Sequence, residues 1–295
     1  MGLAKLSFMN WRIILGLALT AAGFVFGAAP APKTWPDARL AAASSRVEDW
    51  QPVFQGVDMC TGSTTNPRPV QVKAVRVDLQ ADAISFLVTP SNGAEPKDVG
   101  ARTTSDFLAE FRCQVAINGS VFAPFAKTKG DPMDIEGLSL SRGDLYSPAN
   151  KYDAILISTN NRVWLDMSPV EAQGAWNGLS GFYALLVDGR NIASSEGLHP
   201  RSAIGVSRDG RFMFLMVIDG RQPGFSEGAT TAETAEWMRK LGAWNALNLD
   251  GGGSTALVIE GLEGRPRVLN RPSGPPAGTE RKVANHLGVF ARPVK

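Results

Sequence analysis

The stretch TTAETAEWMRKLGAWNALNLDGGGSTALVI, Thr230–Ile259, decides how this chain folds. Its first part has helical period. Thr230 and Glu233 have capping-box spacing, Ala232, Ala235, Trp237, Met238 and Leu241 supply apolar positions, and Gly242 stands where a terminating glycine belongs. Ala243–Leu249 (AWNALNL) then reads as a strand and Thr255–Ile259 (TALVI) as another. Between them stand Asp250, three consecutive glycines, Ser254 and Thr255. Glycine loses more backbone freedom on folding than any other residue, so such a run is costly to order. The loop needs main chain without side chains.

Outward from this stretch, strands dominate. Val70–Leu79 (VQVKAVRVDL) alternates apolar and polar residues, the period of a half-buried strand. Ile84–Thr89, Cys113–Ile117, Ala154–Ile157, Arg162–Leu165, Tyr183–Val187, Ser202–Val206 and Arg211–Ile218 also read as strands. Phe212–Ile218 (FMFLMVI) is apolar throughout, as in a strand covered on both faces. Asp188-Gly189 and Asp209-Gly210 are hairpin-turn signals. A second, short helix is expected over Thr104–Phe111, capped by Thr104 or Ser105. The fold class is α+β, a strand-rich mixed-sheet domain with few helices, running as one unit over residues 53–295.

The N-terminus reads differently. Lys5 and Arg12 precede the uncharged apolar run Ile13–Phe26, and small residues follow to Ala29, the pattern of a secretory signal peptide over residues 1–29. Residues 30–52, rich in proline and alanine, form a lead into the domain. The expected location is therefore periplasmic or secreted, with membrane attachment only if the leader stays uncleaved. Whole-chain totals are 30 Lys+Arg and 28 Asp+Glu, and removing Lys5 and Arg12 leaves 28 of each. Net neutrality without a basic cluster argues against nucleic-acid binding. Cys60 and Cys113 are the two cysteines, and in an exported protein such a pair points to a disulfide. With His199 and His286 as the two histidines, a structural zinc site is disfavoured.

Several stretches carry chemistry. In Asp250–Thr255, glycine amides in a turn can form an anion-binding nest, with hydroxyls from Ser254 and Thr255 and a carboxylate from Asp250. The loop lacks the lysine of a phosphate-binding Walker motif, and Ser254 lacks the second glycine of a nucleophile elbow. Asp219-Gly220-Arg221 ends the apolar strand and leads towards the capped helix, and Arg221 offers a fork for phosphate oxygens. Asn118 follows a short strand and suits a sugar hydroxyl or a phosphate. Arg201 stands just before a strand, and Asn270, Ser273, Glu280 and Arg281 lie near the C-terminus.

In order, Asn118-Gly119, Pro200–Gly205 (PRSAIG), Asp219-Gly220-Arg221, the capped helix, Asn248–Thr255 (NLDGGGST) and Asn270–Ser273 (NRPS) resemble the phosphodiester glycosidase family over roughly residues 110–292. Ser120 and Val121 depart from the Asn-Gly-Gly-Phe-Phe usual in that family, which bears on sugar packing there. The resemblance implies cleavage of a small or polymeric sugar-1-phosphodiester at the glycosidic bond, in exopolysaccharide or envelope glycan metabolism. Gly251, Gly252, Gly253, Ser254, Thr255, Arg201 and Arg221 would bind phosphate, with Asn118, Asn270 and Arg281 completing the substrate site. Asp250 and Asp219 would be the carboxylate pair. No cofactor is expected; the alternative use of the two carboxylates is to ligate a divalent cation. Rival readings are a non-catalytic periplasmic module binding an anionic glycan, and a serine hydrolase using Ser254 and His286.

Overall fold

The computed structural model describes residues 46–194, 197–274, 276 and 278–294. The signal-peptide reading lies outside the described residues, as does most of the 30–52 lead. The last part of that lead is not a linker: Arg46–Val47 and Gln51–Phe54 both pair with the strand Val57–Thr64. Among the described residues no helix is long and apolar enough to cross a membrane.

The largest sheet has nine strands. Its path runs Arg46–Val47, Val57–Thr64, Val70–Asp78, Phe212–Ile218, Arg201–Val206, Asn245–Asn248, Ala184–Val187 and Arg190–Asn191, with Gln51–Phe54 beside the second. A second sheet orders Pro266–Val268, Leu257–Glu260, Val115–Asn118, His286–Phe290 and Ser85–Val88. All its pairings are antiparallel. Another five-stranded sheet and a three-stranded one complete the fold.

Phe212–Ile218 shows why the large sheet sits at the centre. Met213, Leu215 and Val217 join Ile117, Leu257, Leu287 and Ile155 in the main core. Phe214, Met216 and Ile218 face the other way, against Ala235, Trp237, Met238 and Leu241 of helix α2, Thr231–Leu241. Both pleat faces are buried, so the strand has no polar alternation to display. Helix α1, Thr104–Phe111, covers the far side of the second sheet with Phe107 and Leu108. The layers run helix, sheet, sheet, helix.

Local signals match the geometry. Thr230 and Glu233 form the reciprocal capping box of α2, and Gly242 ends it at φ 113°. The 188–189 hairpin has positive φ at both turn residues, 51° and 73°. The cap of α1 is Thr103, one residue earlier than expected, because Asp106 rather than a later acid closes the box.

The disulfide is not formed. Cys60 packs under α2 on one outer face and Cys113 under α1 on the other, with the main core between them. Both thiols are free, and burial pushes each up to about 12.

Candidate active site

The register of the large sheet brings the motif residues to one end. Arg201 opens its strand opposite Ile218, and Ala203 pairs with Asn248, two residues before Asp250. The second sheet ends at the same place: the Asp250 amide donates to the Gly119 carbonyl at 3.0 Å, and Asn118 Nδ2 donates to the Asp250 carbonyl at 2.7 Å. Over this junction lies a cleft of about 360 Å³, walled by Arg201, Arg221, Arg281, His199, Asp250 and the three glycines, with Phe125, Phe182 and Asn248 at its margins.

The cleft shows what the glycines are for. A β-carbon on Gly251 would lie 2.7 Å from the Pro200 carbonyl oxygen. On Gly252, whose φ is +61°, it would meet Arg221 Nη2 at 3.1 Å, and on Gly253 it would meet Arg281 Nη2 at 2.3 Å. The run therefore lets two guanidinium groups lie against the main chain. It does not work as an open amide nest. The Gly251 amide donates to Asp250 Oδ1 and the Gly252 amide to the Pro200 carbonyl, each at 2.9 Å. Ser254 and Thr255 amides close a single 3₁₀ turn over Gly252–Ser254.

Asp250 is the carboxylate of the cleft wall. Burial pushes its pKa up to about 6, against the hydrogen bonds of Ser254 and Gly251 and the charge of Arg281. Facing it, Arg201, Arg221 and Arg281 form no ion pair among the described residues. Arg201 is buried; its Nε and Nη2 donate to the carbonyls of Ala229 and Gly197 at 2.9 and 2.6 Å. Burial and the charge of Arg221 lower its pKa to about 10, still leaving it protonated. Arg281 lies 4.8 Å over the Phe125 ring.

His199 was missed by sequence reasoning, although it directly precedes Pro200-Arg201. Its Nδ1 is 3.2 Å from Arg221 Nη2. A guanidinium offers only donors, so Nδ1 is the acceptor and the ring is neutral. Burial and the charges of Arg201 and Arg221 lower its pKa in keeping with that. Phe125, Phe182 and Asn248 were also missed; a lone aromatic or asparagine at a strand end carries no local signal.

Other expected site residues serve the scaffold. Asn118 is fully buried, and its Oδ1 accepts from Ser202 Oγ at 2.6 Å and the Ala256 amide at 3.2 Å. Ser120 is buried against Asn285, so the departure from the family pattern there does not face the cleft. Asn270 ties Leu257 and Thr255, while Ser254 and Thr255 are buried beneath the loop. Asp219 does not line the cleft. Its Oδ1 accepts from Asn270 Nδ2 at 3.2 Å and the Arg271 amide at 2.9 Å, and burial raises its pKa to about 6. The serine-hydrolase reading finds no support in the geometry: His286 is fully buried, bonded to Thr89 and stacked on Phe107, and it does not line the cleft. Among the described residues no group of three His, Cys, Asp or Glu side chains gathers as metal ligands.

Among solved structures, the fold is similar to the catalytic domain of zebrafish N-acetylglucosamine-1-phosphodiester alpha-N-acetylglucosaminidase, auto-inhibited by its pro-peptide. The TM-score is 0.60 at 18% identity, covering 84% of this chain and 89% of that one. A hypothetical protein from Synechocystis is similar at TM-score 0.56 and 19% identity, covering 83% and 64%. A putative exported protein from Burkholderia pseudomallei is similar at TM-score 0.52 and 16% identity, covering 75% and 74%. No curated protein matches the sequence significantly. At such identities the solved structures show a shared fold and no more. The sequence itself matches the phosphodiester glycosidase family over residues 111–290, a span holding every residue of the cleft wall named above. With more than half of its length inside that match, the chain belongs to the phosphodiester glycosidase family.

Proposed function

We propose that this chain hydrolyses a sugar-1-phosphodiester at its glycosidic bond, releasing free sugar and a phosphomonoester. One observation carries the reading: three guanidinium groups without ion-pair partners among the described residues share a cleft with one carboxylate, Asp250.

Bidentate guanidinium donors suit a phosphate diester. A water molecule adds to the anomeric carbon and gives its proton to Asp250. The bond from that carbon to the phosphate oxygen breaks, and its electron pair leaves with the phosphomonoester, held by the arginines. A phosphate leaving group needs no proton from an acid, so a single carboxylate suffices where most glycosidases use two. A carboxylate with a pKa near 6 is suited to take a proton at neutral pH. Direct attack by water on one face inverts the anomeric configuration.

The leader-like N-terminus, with a fold shared by a protein described as a putative exported protein, supports a periplasmic or secreted enzyme acting on envelope or exopolysaccharide glycans. The test is a panel of sugar-1-phosphodiesters, including an N-acetylglucosamine-1-phosphate diester, with Asp250→Asn in parallel. Mass spectrometry should find both products with wild type alone, and NMR should find the inverted anomer first. Folded protein that releases nothing from any member would return the cleft to a glycan-binding role.

A further inference from the structure

A second cleft, about 320 Å³, adjoins the first and shares Phe182 and Asn248 with it. Its character is different. Arg201, Arg221 and Arg281 make the first cleft cationic, whereas no Lys, Arg or His among the described residues lines the second. Its one carboxylate, Asp153, is buried, and its oxygens accept from the amides of Ser168 and Ala184 at 2.9 and 2.7 Å. The walls mix Phe182, Tyr183 and Ile192 with the polar side chains of Ser194, Thr231 and Asn248.

Asn248 stands between the two spaces. The Phe182 amide donates to its carbonyl at 2.7 Å, and its own amide donates to the Tyr183 carbonyl at 3.1 Å, so its backbone is held on both sides. The side chain is 5% exposed, and Oδ1 has no partner among the described residues. A buried acceptor left unpaired is costly, and a hydroxyl donated by a ligand removes that cost. Asp250 follows two residues later, just past the end of the strand Asn245–Asn248.

We propose that the second cleft is the glycosyl subsite and selects an uncharged sugar, holding its ring while the attached phosphate lies on the arginines. This rests on the phosphodiester glycosidase reading of the first cleft and adds where the sugar sits and which sugars are refused. Aromatic faces with scattered hydroxyl and amide groups match a ring with apolar faces and hydroxylated edges. A hydrocarbon chain would leave Asn248 Oδ1 unpaired. An acidic sugar would meet Asp153 with no cation to offset it. The volume is at the small end of ligand pockets, sized for one ring and its substituents.

Non-hydrolysable probes separate this from turnover. Calorimetry would compare methylphosphonate, a C-glycosidic hexose phosphonate and the matching uronic acid phosphonate. Wild type should bind the hexose probe about tenfold more tightly than methylphosphonate, and the uronic probe no more tightly than methylphosphonate. Ile192→Trp and Tyr183→Ala alter side chains that are 50% and 55% exposed, so neither threatens the core. Both should shrink the hexose advantage to about twofold or less and leave methylphosphonate affinity unchanged. A hexose advantage that survives both changes, or is absent in wild type, overturns the subsite. So does equal binding of the uronic and hexose probes. Failure of methylphosphonate itself to bind would instead sink the phosphate site, and the subsite with it. An octyl phosphonate that binds as tightly as the hexose probe, and loses that affinity in Ile192→Trp, would assign the space to the other substituent of the phosphate.

Discussion

Arg281 lies so close over Gly253 that a β-carbon at that position would sit 2.3 Å from Nη2. The atom it would strike is the end of a flexible, half-buried side chain, so Gly253→Ala displaces Arg281 from the cleft and leaves the fold intact. KM should rise about tenfold while Tm moves little. Gly252→Ala differs, because Gly252 has a φ of +61°. Besides crowding Arg221 it should cost about 1–2 kcal/mol of stability. If both variants lower Tm equally, the arginine contact is not what Gly253 serves.

The Asp250 carboxyl, raised to about 6 by burial, gives two opposite pH signatures. As a base it must be ionised, so kcat/KM should fall as pH drops through about 6. Stability runs the other way. Between its ordinary range and about 6 the folded state binds more protons than the unfolded state, so stability falls as pH rises through that window. Asp250→Asn should therefore abolish turnover yet raise stability at pH 7.5 by on the order of 2 kcal/mol, with the gain gone near pH 4. Thermal melts at both pH values check this. A variant that melts below wild type at both would show that burial does not burden this carboxylate.

Asp219 should behave as a clip. Asp219→Asn keeps an oxygen for Asn270 Nδ2 and the Arg271 amide, so activity should stay within about tenfold of wild type. Asp219→Ala leaves both donors unpaired and should lower Tm as well as raise KM. Loss of turnover in Asp219→Asn as deep as in Asp250→Asn would restore a carboxylate pair.

The arginines divide by their surroundings. Arg221 is exposed and touches His199, so Arg221→Lys should raise KM and leave Tm nearly unchanged. Arg201 also holds the Ala229 and Gly197 carbonyls, and Arg201→Lys should raise KM and lower Tm together, by about 1–3 kcal/mol of stability. Equal melts for both variants would remove Arg201 from its structural role.

Much of the fold was legible because its signals are local. The Thr230–Glu233 box, the Gly242 terminator and the Asp188-Gly189 turn each depend on residues a few positions apart. The evenly apolar Phe212–Ile218 already announced a strand covered on both faces. Those patterns set the class of fold, and the NLDGGGST block and PRSAIG meet at one cleft. Tertiary structure decided which residues face it. Asp219 and Asp250 both follow an apolar strand, yet one carboxylate turns to Asn270 and the other lines the cleft that holds the arginines. Cys60 and Cys113 suited a bridge in sequence, yet the sheets hold them on opposite outer faces. His199 and Asn248 reach the cleft only through strand register, which pairs Ala203 with Asn248 and sets Arg201 opposite Ile218, three residues before Arg221. Propensity and turn chemistry act over a few residues and can be read along the chain. Which side chain meets which across a sheet depends on contacts between distant segments, and no stretch of sequence contains them.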